Sequence, residues 1–139
     1  MTTFTSLVAS ISGLTIAGVN TSFAYTLESL GNADLPASFV RLPDGDVGFA
    51  PADCVDSQIV RTIELVVLVK PVGLETAEQN FSDTVTMLDS VNTAVSTWAY
   101  LPAQNGIAIT YSLSTSGSAP EILGDTAYWA VSAVIQGQG

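Results

Sequence analysis

Residues 76–98 constrain the fold more than any other part of the sequence. Thr76-Ala77-Glu78-Gln79 has the form of a capping box, with Thr76 as N-cap and Gln79 reaching back to it. Glu75 and Glu78 sit where the helix dipole is positive. Ala77, Phe81, Val85, Leu88, Val91, Val95 and Trp98 then recur at steps of three and four, one continuous apolar stripe. At 1.5 Å per residue the helix spans about 33 Å, and Pro102 closes the region. A helix of this length needs a wide apolar surface to lie on.

The rest of the chain supplies strands for that surface. Ile59 to Val69 is the clearest: one-sided in its first half, where Arg61, Thr62 and Glu64 interrupt, and apolar on both faces in its second. That is the pattern of a strand whose far end is sandwiched, and Lys70-Pro71 ends it. Ile107, Ile109, Tyr111 and Leu113 alternate with small and polar residues, and Tyr128 to Ile135 reads as the last strand. Earlier, Ser22–Tyr25 and Ser38–Leu42 read as strands, separated by the turn-rich Gly31-Asn32-Ala33-Asp34. Phe4, Leu7, Val8 and Ile11 predict a short N-terminal helix over 3–12, stopped by Gly13. Pro43-Asp44-Gly45-Asp46 is a turn signal, and 47–56 reads as an acidic loop or edge excursion. The expectation is one α+β domain over 1–139. It has a mixed, mostly antiparallel sheet, one long helix packed across a face, and a short N-terminal helix.

Composition bears on what covers this domain. Only 12% of residues are charged and 47% are hydrophobic, against about 25% charged in a typical soluble domain. The surface is then either rich in neutral polar groups or partly buried against partners, and the second is the reading adopted. Thirteen acids face three cations, Arg41, Arg61 and Lys70, for a net charge of −10. Such a balance opposes a grip on nucleic acid, which needs cations to displace phosphate counterions, and opposes docking on an anionic membrane. The longest apolar run, Leu65–Val69, is too short to span a bilayer. The N-terminus has no basic region and its apolar residues are broken by Thr and Ser, so no secretory signal is expected. The sequons at Asn20 and Asn80 are then read as chance.

Residues for catalysis are scarce. With no histidine, Ser-His-Asp and Cys-His systems and histidine metal sites are excluded. Cys54 is the only cysteine, so it forms no intrachain disulfide, and neighbouring Asp53 and Asp56 would raise its thiol pKa rather than activate it. Asp44, Asp46, Asp53 and Asp56 cluster, but their spacing is not that of a calcium loop. Asp125-Thr126-Ala127 has the form of an aspartic protease turn without the all-β surroundings. No phosphate-binding glycine loop is present. No catalytic, cofactor or metal residue is therefore expected. Asp44, Asp46, Asp53, Asp56 and Arg61 are instead candidates for a partner interface. The acids sit on a segment too long and acidic for a simple turn, and a sheet-borne Arg61 is suited to an acid of its own chain or of a neighbour.

In layout the chain resembles the tail terminator proteins of long-tailed bacteriophages. The resemblance rests on the short N-terminal helix and on Asn32-Ala33-Asp34-Leu35-Pro36-Ala37 leading into a strand. It continues with Thr62-Ile63-Glu64-Leu65-Val66-Val67-Leu68-Val69, the capped helix 77–98, and the closing strands through Tyr128-Trp129-Ala130-Val131. It covers nearly the whole chain, and the N-terminal helix is short and Ser/Thr-rich for that family. The resemblance implies a non-enzymatic virion protein that forms a homohexameric ring. The ring caps the tail tube protein, stops its polymerisation, meets a head-completion or connector protein, and lets DNA pass through its lumen. Six copies would bring about −60 of formal charge to that lumen, which repels DNA.

Two other readings stay open. One is a different neck or tail ring protein, such as a connector or tube subunit. The other is a small-ligand cup or enzyme with a helix over a curved sheet, lined by Tyr25, Trp98, Tyr100, Tyr111 and Trp129, with Asp125 as a base.

Overall fold

A computed structural model describes residues 4–23, 25, 35–43, 45, 47–49, 60–71, 77–100, 108–115, 121–123 and 126–138. The elements run α1 (Phe4–Ser12), β1 (Thr21–Ser22), β2 (Ala37–Arg41), β3 (Gly48–Phe49), β4 (Val60–Pro71), α2 (Ala77–Tyr100), β5 (Ala108–Thr115), β6 (Glu121–Leu123) and β7 (Thr126–Gln138). They form one seven-stranded sheet of order β1-β2-β4-β7-β5, with β3 added to β4 and β6 to β7. Among the described residues only β1 and β2 pair in parallel, so the α+β class and the mostly antiparallel sheet are as the sequence predicts.

The two long strands β4 and β7 form the middle of the sheet. Odd-numbered residues of both point to the helices: Ile63 opposes Ile135, Leu65 opposes Ala133, and Val67 opposes Val131. These join Leu7, Ile11, Met87, Val91 and Val95 in the main core. Even-numbered Val66, Leu68 and Ala130, with Phe39 and Tyr128, form a smaller core on the other face. Burying one such aliphatic side chain stabilises by about 1.5–3 kcal/mol.

Two features depart from the pattern-based reading. First, β4 is buried along its whole length from Arg61 to Val69, including Thr62 and Glu64, so its first half is not one-sided. Arg41 on β2 explains part of this: its guanidinium donates to Glu64 Oε1 at 2.7 Å, which allows a carboxylate in a covered position. Second, the register shifts between Leu68 and Lys70, so that Leu68 faces Ala130 while Lys70 faces Trp129. Val69 is the extra residue of a β-bulge. Beyond it Lys70 lies on the helix side, which an unbroken alternation would have denied it.

Sequence pattern also missed two short strands. β3 lies inside the segment read as a loop, and β6 lies ahead of the last strand, where none was predicted; each has too few residues to show a period. Strand β7 runs to Gln138, three residues beyond its predicted end, because both β4 and β5 pair with it there. The capping residue Thr76 lies outside the described residues, while Gln79 donates from Nε2 to Asp83 Oδ1 at 3.1 Å.

Candidate functional site

Helix α2 presents three longitudinal surfaces, and their rotation differs from the one its apolar stripe predicts. The inward line is Asn80, Thr84, Met87, Val91, Val95 and Trp98, all buried. Phe81 and Val85, both members of the predicted stripe, are instead 64% and 42% exposed. At 3.6 residues per turn they stand about 80° and about 120° round from the inward line. Leu88 sits half-buried below them, and Asn92 continues the column, accepting a bond from the Tyr111 hydroxyl of β5 at 3.0 Å. The result is a partly exposed apolar ridge on the β5 flank.

The sheet end explains the rotation. Lys70, turned to the helix side by the bulge, makes an ion pair with Asp83 at 2.5 Å. Its ammonium hydrogen bond holds the Asp83 carboxyl below its ordinary pKa, with a smaller contribution from Gln79, while partial burial opposes the shift. Asn80 and Thr84 then face inward on the same turn, and the Thr84 hydroxyl is satisfied by the Asn80 carbonyl at 2.7 Å. Asp83 is thus tied to the sheet end through Lys70, and Phe81 and Val85 lie outside.

On the opposite flank of α2 lies an open cleft of about 550 Å³. The segment after α1 forms one wall, with Leu14 and Thr15, and α2 forms the other, with Ser90, Thr93, Thr97 and Trp98. Gly18, with φ of +88°, turns the chain at the end of that wall, where the left-handed backbone favours glycine. A smaller hollow of about 220 Å³ continues the cleft past Ala17 and Ser90 to Lys70 and Asp83. Side chains lining the main cleft are mostly short, and its one ionisable group is the exposed Asp89.

Of the residues singled out from sequence, Asp44, Asp46, Asp53 and Asp56 lie outside the described residues, as do Cys54 and Asp125. Arg61 is described and is only 5% exposed. It sits in β4 between Gly48 of β3 and Gly137 of β7, neighbours with no side chain to compete for its face. Its guanidinium lies 5.7 Å from the centre of the Phe4 ring, a cation–π contact that pins α1 to the sheet. A Cβ on Gly48 would fall 2.7 Å from the Val60 carbonyl oxygen and 3.0 Å from the Phe4 ring, so the close seat of that ring depends on glycine there.

The aromatic residues considered for a ligand cup are spread out. Tyr25 is exposed and meets Phe23 edge-on at 5.7 Å. Trp98 lines the cleft, Tyr111 lines a separate hollow beside Val134 and Gln136, and Trp129 packs on the main core. The Tyr100 side chain lies outside the described residues. Among the described residues no group of three or more potential ligands is placed to hold a metal ion, and no helix is long and apolar enough to cross a membrane. The ridge and the cleft were not legible as sites in the sequence. Their only trace was Asn80, Thr84 and Met87 recurring at helical spacing beside the stronger apolar stripe.

No protein-family model matches this chain, and no curated protein matches it.

Proposed function

We propose that this chain is a structural, ring-forming subunit of a bacteriophage tail, acting as the terminator that caps the tail tube and joins it to the head-completion or connector protein. The observation that carries the reading is the exposed pair Phe81 and Val85 on the long helix of a charge-poor chain. Large apolar side chains held out on a rigid helix mark a surface that another protein covers. The element order supports it: a short helix, strands, a long helix over the sheet, then closing strands, the layout through which the sequence resembles terminators. The net charge of −10 fits a lumen that DNA crosses without sticking. In this reading the chain works by occupying the tube end and so blocking the next tube subunit, with no bond made or broken.

Light scattering of the purified chain, followed by negative-stain imaging with and without assembled tail tubes, tests the proposal. Six-fold rings, or rings found at tube ends, are expected. Rings that ignore tubes would assign the chain to another ring of the neck or tail. A monomer that ignores tubes and binds a small apolar ligand would replace the proposal with the cup reading.

A further inference from the structure

We draw no further inference here: the strongest candidate, the partly exposed apolar ridge of Phe81 and Val85 on α2 beside the β5 edge of the sheet, is a face for which nothing in the structure shows what covers it.

Discussion

The two halves of α2 are built to opposite plans. From Val91 to Trp98 the residues that look apolar in the sequence are the residues that are buried. From Asn80 to Met87 the inward face is Asn80, Thr84 and Met87, and the bulky apolar residues Phe81 and Val85 point away from the sheet. The difference lies under the helix rather than in it. The C-terminal half rests on the main core, where Val131, Ala133 and Ile135 offer only hydrocarbon. Where the N-terminal half passes the end of β4, the bulge presents Lys70, and Asp83 turns to meet it. A stripe shows which faces of a helix tolerate burial; the partner surface decides which one is used.

The comparison breaks most sharply at Met87, the last residue of the N-terminal half that is both apolar and buried. Met87→Ala should cost about 2–5 kcal/mol in urea denaturation, as large-to-small core changes do. A cost below about 1 kcal/mol would mean that this half does not pack as described.

A smaller effect is expected at Lys70. Lys70→Met removes the partner that lowers the Asp83 pKa, and for a pair partly open to solvent the loss at neutral pH is under about 1 kcal/mol. Because the folded carboxyl is depressed, its contribution is complete above the unfolded pKa of about 3.9 and disappears as pH falls through the folded value. The gap in stability between wild type and variant should therefore close in acid. A gap that persists unchanged at a pH where Asp83 is protonated would assign the effect to packing of the Lys70 stem.

Phe81 sharpens the comparison with the smallest change. Phe81→Ser alone should alter the unfolding free energy from urea denaturation by no more than about 0.5 kcal/mol in the monomer, since the ring is mostly in water and the two residues have similar helix propensity. A loss as large as that of Met87→Ala would place the predicted stripe back on the inside.

Much of the fold was legible from residues whose neighbours share their character. Strand β4 could be read because Ile63, Leu65, Val66, Val67 and Leu68 are apolar on both faces, and both faces are covered. Helix α2 could be read in existence and extent from its long period, but its rotation could not, because the Lys70–Asp83 pair beside it depends on a one-residue bulge in the preceding strand. The burial of Glu64 and Arg61 was hidden for a similar reason: it depends on Arg41 and Phe4, brought near by pairing and not by sequence. Asp44, Asp46, Asp53 and Asp56, the acids expected at an interface, were read from charge alone, and they lie outside the described residues. The exposed apolar side chains Phe81 and Val85 are instead residues that the sequence assigns to the core.

The bulge at Val69 also sets the parity of β4 beyond it. Were Val69 to enter the ladder opposite Trp129, alternation would carry Lys70 to the face that holds Leu68 and Tyr128, away from Asp83. Deleting Val69 would instead leave Lys70 opposite Trp129 on the helix side. A slip of one residue in the strand would thus cost α2 its ionic anchor without changing a single side chain.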